Sequence, residues 1–152
     1  MSNLCMMKTH PITMQARDKA ESLGLVSSIK FKEMDVGSLS YPDKSFDTVV
    51  DTFSLCVFPD PRQALHEIAR VVKPYKEGGR VLLLENSRSD WGPVGLYQDL
   101  TGSMIASMGG KGCVWNQDVT ALAREAGLTL KSEVPILGGI FRLLEAVKEG
   151  TS

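Results

Sequence analysis

The sequence predicts an α/β fold in which a mostly parallel, twisted sheet closes on an antiparallel hairpin. Three observations carry that expectation. Apolar periodicity switches repeatedly between strand and helix along the chain, and the helical stretches carry recognisable caps and stops. Two strand-like runs near the end flank Gly138-Gly139, a two-glycine hairpin turn. With 152 residues, one globular domain over 1–152 is expected, long enough to bury roughly 68–70% of the surface its unfolded chain exposes.

Taken in order, residues 4–7 are a short apolar run of strand type. Ile12, Ala16, Ala20 and Leu23 then recur at helical spacing up to Gly24. Residues 28–34 read as a second strand. A third, 46–51, is entered through the turn-forming Tyr41-Pro42-Asp43-Lys44. The clearest helix follows: Asp60 is a natural N-cap, Pro61 suits the first helical position, and Leu65, Ile68, Ala69 and Val72 form one stripe before Pro74 forbids continuation. Gly78-Gly79 turns the chain into residues 80–85, whose Val81-Leu82-Leu83-Leu84 run suits a strand buried on both faces. Residues 86–115 are polar and glycine-rich with scattered Trp and Met, and are expected to form an insertion or lid. Asn116 is placed as the cap of a helix whose Val119, Leu122, Ala123 and Ala126 share a face, with Gly127 as its stop. Residues 128–136 and 140–147 make the hairpin.

Composition narrows the partners. The formal charge is −1, from 17 Lys+Arg against 18 Asp+Glu, without a basic run, so no nucleic-acid partner is expected. A small neutral or amphipathic molecule is the expected ligand. Cys5, Cys56 and Cys113 are odd in number and widely spaced, which points to reduced thiols in an intracellular, reducing compartment and away from a disulfide framework or a metal site. No apolar run approaches the ~20 residues of a membrane span, and no secretory leader pattern opens the chain, so a soluble protein is expected.

In an open sheet of this kind, ligands bind outside the carboxyl ends of the strands. Asp35, the turn at residues 51–54 and the turn at residues 85–87 are therefore expected on one rim. Each residue also has a structural reading. Asp35 could close an Asx-turn; Asp47 fits a structural acceptor inside its strand; Glu85 is either a substrate-facing acid or a solvated strand end. His66 fits a surface position and His10 has no evident partner. The Trp and Met residues of 91–115 fit packing better than acceptor contacts, and nothing marks Cys113 as reactive.

The segment MDVGSLSYPDKSFDTVVDTFSLCVFPDPRQALHEIARVVKP, followed by GGRVLLLE, resembles the middle of a class I S-adenosylmethionine (SAM)-dependent methyltransferase. The later GCVWNQDVTALAREAGL is similar to a branch of membrane-associated, partly mitochondrial methyltransferase-like proteins related to quinone- and lipid-modifying enzymes. The resemblance covers roughly residues 30 to 147. It implies a Rossmann-like sheet, SAM as cofactor, a small-molecule methyl acceptor and a cytoplasmic or mitochondrial location. By position, Asp35 would accept the adenine amino hydrogen bond and the N–H of Val36 would face a ring nitrogen, while Thr52, Phe53 and Ser54 would line the methionine end. No catalytic base is assigned.

The family pattern begins with a strand, a Gly-x-Gly loop and an acid after the second strand. Here the first glycine is Gly24 and the first acidic residue Asp18, so the sheet is expected to be incomplete at the N-terminus and the chain to represent the C-terminal portion of the domain. Two functions then compete: methyl transfer, and a non-catalytic truncated remnant that acts through association. Uncovered strand edges favour self-association in either case.

Overall fold

The computed structural model describes residues 3–6, 10–108 and 113–150. The chain divides into two compact units, Met1–Ser40 and Tyr41–Ser152.

The first unit is a strand–helix–strand crossover. Strand β1 (Asn3–Met6) leads into helix α1 (His10–Ser22), and β2 (Ile29–Lys32) returns parallel to β1 with Asn3 opposite Ile29 and Met6 opposite Lys32. Parallel pairing needs such a crossover, which α1 supplies. The helix ends as expected at Gly24, whose φ of +67° lies in the left-handed region that glycine tolerates. Ala20 is buried, whereas Leu23 is exposed and leaves the expected stripe. Met7, the last residue of the expected first strand, lies outside the described residues.

The second unit holds a four-stranded mixed sheet in the order β3 (Thr48–Thr52), β4 (Arg80–Asn86), β6 (Phe141–Lys148) and β5 (Leu128–Ile136). Strands β3 and β4 are parallel, with Thr48 opposite Arg80 and Thr52 opposite Leu84. Strand β6 runs antiparallel to both β4 and β5, so the expected hairpin closes the sheet. It turns through Leu137, Gly138 and Gly139, all at positive φ, and this is why two glycines stand there.

Helix α2 (Pro61–Val71) forms as its sequence signals require. Asp60 Oδ1 accepts the Gln63 N–H at 2.9 Å, and Ala64, Leu65, Ile68, Ala69 and Val71 are buried. The helix stops before Pro74 because Val72 is already extended and bridges Phe46. Leu65, Ile68, Val81, Leu83, Val119 and Leu144 pack into one core between the sheet and helices α2 and α4 (Val119–Glu125). Leu83 and Leu144 are paired across β4 and β6, so the core is nailed to the register of the sheet.

Two expectations are corrected, and one segment gains a helix. Residues 86–115, expected as an insertion or lid, carry helix α3 (Gly92–Met108), while residues 109–112 lie outside the described residues. Two of its glycines serve close approach. A Cβ on Gly95 would sit 2.9 Å from the Ser89 carbonyl oxygen, and one on Gly102 would sit 3.1 Å from Asn116 Oδ1. The cap of α4 is Asp118, whose Oδ1 accepts the Ala121 N–H at 2.9 Å; Asn116 instead donates to Asp99 at 3.1 Å. Asp47 is indeed a structural acceptor, but it is exposed and precedes β3, held by Lys73 Nζ at 2.7 Å. Among the described residues no helix is long and apolar enough to cross a membrane.

Two measurements check this fold. A Cβ at Gly79 would fall 1.8 Å from the Lys73 carbonyl oxygen, whereas Gly78, at φ +86°, faces open space. Urea titration should show Gly79→Ala losing about 3 kcal/mol or more by overpacking against backbone, and Gly78→Ala about 1–2 kcal/mol by backbone strain alone. Equal losses would contradict the packing at Lys73. Strand β3 pairs only with β4 among the described residues, and Val50 on it is 64% exposed. Light scattering should therefore detect self-association that Val50→Lys reduces, since a charge on an edge strand opposes pairing; an unchanged size distribution would clear this edge.

Candidate functional site at the carboxyl ends of two parallel strands

Parallel pairing brings the ends of β3 and β4 side by side, and each end carries a carboxylate. Asp51 is the penultimate residue of β3. Glu85 is the penultimate residue of β4 and is fully buried. The chain leaves β3 through Thr52-Phe53-Ser54 and folds back in a short helical turn at Leu55–Val57. Phe53 is held at φ +53°, a left-handed conformation that costs a non-glycine residue on the order of 1–3 kcal/mol. Its N–H bonds the Leu84 carbonyl oxygen at 2.9 Å and its ring meets Phe141 edge-on at 5.6 Å. This reversal aims the Ser54 backbone at Glu85.

Ser54 joins the two acids. Its N–H donates to Glu85 Oε1 at 3.0 Å, and its hydroxyl donates to Asp51 Oδ1. The second oxygens, Asp51 Oδ2 and Glu85 Oε2, are buried without a hydrogen-bond partner. Burial disfavours the charged form of both groups. Glu85 is pushed up to about 7, first by burial and then by the nearby charge of Asp51, with partial relief from the backbone N–H groups of Ser54, Leu55 and Phe53. Asp51 is also raised by burial, against the pull of the Ser54 hydroxyl. Near neutrality the pair therefore holds less than two full charges.

A cation that could compensate them is directed elsewhere. Arg142 lies opposite Glu85 in register on β6, but its guanidinium bonds Ser87 Oγ at 3.2 Å and pairs with Glu133 and Asp90. Beside the acids, Asn86 Nδ2 approaches Cys56 Sγ at 3.5 Å. Burial and the neighbouring Cys113 thiol raise the Cys56 thiol to about 11, so it is not a thiolate nucleophile.

Of the residues singled out from the sequence, Thr52, Phe53 and Ser54 are brought to this site. Thr52 and Phe53 are exposed at the end of the strand. Asp35 and Val36 belong to the first unit, in the loop after β2. There the exposed Asp35 accepts the Gly37 N–H through Oδ1 at 2.9 Å, an Asx-turn in which it remains open to a ligand. His66 is exposed, as its place on α2 suggested. Glu85 is neither solvated nor merely terminal. The turns at residues 51–54 and 85–87 lie at neighbouring strand ends, as expected; what the sequence did not show is that Ser54 bonds both Asp51 and Glu85.

The chain matches a family described as methyltransferase domain over residues 6–83. It is 29% identical over 139 residues to a phosphatidylethanolamine N-methyltransferase of Cereibacter sphaeroides, a match spanning 90% of this chain and 64% of that protein. It is 36% identical over 95 residues to a ubiquinone/menaquinone biosynthesis C-methyltransferase of Haemophilus ducreyi, covering 62% of this chain and 36% of the relative. The chain thus spans about two thirds or less of the curated relatives it matches. An O-methyltransferase family protein of Burkholderia thailandensis superposes with a TM-score of 0.75 at 20% identity, over 100% of this chain and 45% of that one, and this likeness shows the fold: Rossmann-like α/β.

The raised Glu85 fixes the sign of a pH effect. Its folded pKa of about 7 exceeds the ordinary 4.5, so the folded state holds a proton that the unfolded state has released. The stability this contributes is complete below pH 4.5 and is lost as pH rises through about 7. Denaturant titrations from pH 4.5 to 8 should show the parent losing about 3 kcal/mol more than Glu85→Gln, which keeps the acceptor for Ser54 but cannot ionise. Parallel curves would mean that Glu85 titrates normally.

Proposed function

The chain belongs to the methyltransferase domain family, and we propose that it takes part in SAM-dependent methyl transfer to a small-molecule acceptor. The observation that carries this reading is the family match over residues 6–83, which includes both the Asp35-Val36 loop and the Thr52–Ser54 turn. Relatives named for phosphatidylethanolamine methylation and for ubiquinone/menaquinone biosynthesis support an acceptor that is a small molecule.

The residues present suit the cofactor. Asp35 is exposed, which fits acceptance of the adenine amino hydrogen bond, and Val36 beside it would offer its backbone N–H to the ring. Thr52, Phe53 and Ser54 would line the methionine end, where the constrained turn presents its backbone in a fixed direction. SAM supplies an electrophilic methyl group on a sulfonium. The protein's own task is then alignment and exclusion of water, since a displacement of this kind is governed by approach and angle. The Phe53 ring, braced on Phe141, can exclude water, and Ser54 keeps the two acids in place.

The reading of the chain as a non-catalytic remnant is not favoured. Leaving carboxylate oxygens buried and unpaired costs free energy that the fold does not need to spend, and such groups concentrate at working sites.

The test is a calorimetric titration with SAM and with its demethylated product, S-adenosylhomocysteine, followed by transfer of labelled methyl to lipid and quinol acceptors. Asp35→Ala should weaken cofactor binding by about 1–3 kcal/mol, the range for leaving a polar ligand group unpaired, with little change in folding stability. Equal affinity in parent and variant would remove Asp35 from the site.

A further inference from the structure

We propose that Asp51 and Glu85 form a proton-operated latch on the turn after β3: with one acid protonated the turn is closed, and with both ionised Thr52–Ser54 swings open and admits water. The latch belongs to the fold and does not depend on what the turn binds.

The argument starts from two oxygens that water does not reach. Asp51 Oδ2 and Glu85 Oε2 are sealed from solvent without a hydrogen-bond partner, near the ends of two strands paired side by side. A carboxylate charge held there lacks the hydration it has in water, and a second charge beside it adds repulsion. Protonating either acid relieves both costs. The titratable and charged groups facing Glu85 are Asp51 on β3, the Cys56 thiol in the following turn with Cys113 beside it, and Arg142 across on β6. Cys56 stays a neutral thiol, and Arg142 is spent on Ser87, Asp90 and Glu133. Relief on ionisation must then come from water.

The anchors decide which part moves to admit it. Glu85 is fixed from both sides, because β4 lies between β3 and β6. Beyond the turn Leu55 is fully buried; its carbonyl oxygen accepts from Gln117 Nε2 at 3.4 Å and that of Cys56 from the Val114 N–H at 2.8 Å. Between these fixed points Thr52–Ser54 is closed by the Phe53 N–H on the Leu84 carbonyl oxygen and by the two bonds that Ser54 makes to the acids. Ionisation strengthens the Ser54 bonds, but burial outweighs the backbone donors at Glu85 and the hydroxyl at Asp51. Opening also frees Phe53 from its left-handed conformation, and β3 has no second neighbour among the described residues to hold its end. The strained segment at the edge is the one that the acids hold shut.

Amide hydrogen exchange of the full chain, followed by NMR and expressed as protection relative to the unstructured rate, tests the latch. Protection of the Phe53 and Ser54 amides should fall about tenfold between about pH 6 and about pH 8, as linkage to one acid titrating near neutrality requires. At each pH the Leu83 and Leu144 amides should stay better protected than Ser54, because the opening is local. Glu85→Gln, which keeps the acceptor for Ser54, should hold the Ser54 protection constant, and Asp51→Asn should begin its fall at lower pH. Constant protection of Ser54 in the parent, or a fall that Glu85→Gln leaves intact, would overturn the latch. Equal protection of Ser54 and Leu83 throughout would overturn it too, since only the whole unit would then open. One consequence rests on the methyltransferase reading above: S-adenosylhomocysteine added at about pH 8 should restore the protection of Ser54. Its failure to do so, with the pH response intact, would count against the cofactor reading of this turn alone.

Discussion

The hydrogen bond from the Ser54 backbone to the Glu85 carboxylate is the constraint on which the site depends. It ties the turn after β3 to the penultimate residue of β4, at 3.0 Å, across 31 positions of sequence. Parallel register makes it available, since Thr52 stands opposite Leu84 and the next residue on β4 is Glu85. The left-handed Phe53 then turns the chain so that Ser54, not Phe53, faces the acid. Without a buried acceptor at this point, the N–H groups that open the 55–57 turn would lose their compensation, and the strain at Phe53 would have no offset.

A second polar cluster keeps the loop after β4 in place without competing for those acids. Arg142 gathers Ser87, Asp90 and Glu133, and Thr120 Oγ1 donates to Glu133 at 3.0 Å from the start of α4. Gln98 on α3 reaches the same loop from the other side, accepting the Ser89 N–H at 2.7 Å and donating to the Ser87 carbonyl oxygen at 3.0 Å. Residues 87–90 are thus held by β6, α3 and the hairpin together. Both carboxylates of this cluster are paired with Arg142, whereas Asp51 and Glu85 have no such partner in the hydrogen bonds that hold the turn.

The parts of the fold written in local chemistry were legible. Helix α2 announces itself through Asp60, Pro61 and its apolar stripe, and every one of those signals acts in the structure as its chemistry requires. The hairpin at Gly138-Gly139 and the buried β4 are of the same kind. Helix α3 was hidden because Gly92, Gly95 and Gly102 look like breakers, whereas Gly95 and Gly102 exist for close approach to Ser89 and Asn116, contacts that only tertiary structure reveals. Asn116, expected as the cap of α4, is claimed by Asp99, and Asp118 caps the helix in its place. In the site, Thr52–Ser54 could be placed by strand ends, but the state of Glu85 could not: burial and the closeness of Asp51 are properties of the pairing, not of either residue alone.

That asymmetry bears on what the site is for. The core around Leu83 and Leu144 needs no carboxylate at the end of β4, and an apolar residue of similar volume would remove the unpaired oxygen at no cost in packing. The backbone donors at the turn could be met by an uncharged amide, so capping alone does not require an acid. Two acids share one edge of the sheet, both raised by burial and Glu85 further by the charge of Asp51, and groups perturbed in this way concentrate at working sites. Burying them runs against stability, and this makes the strand ends, rather than the core they cap, the place where the fold meets its chemistry.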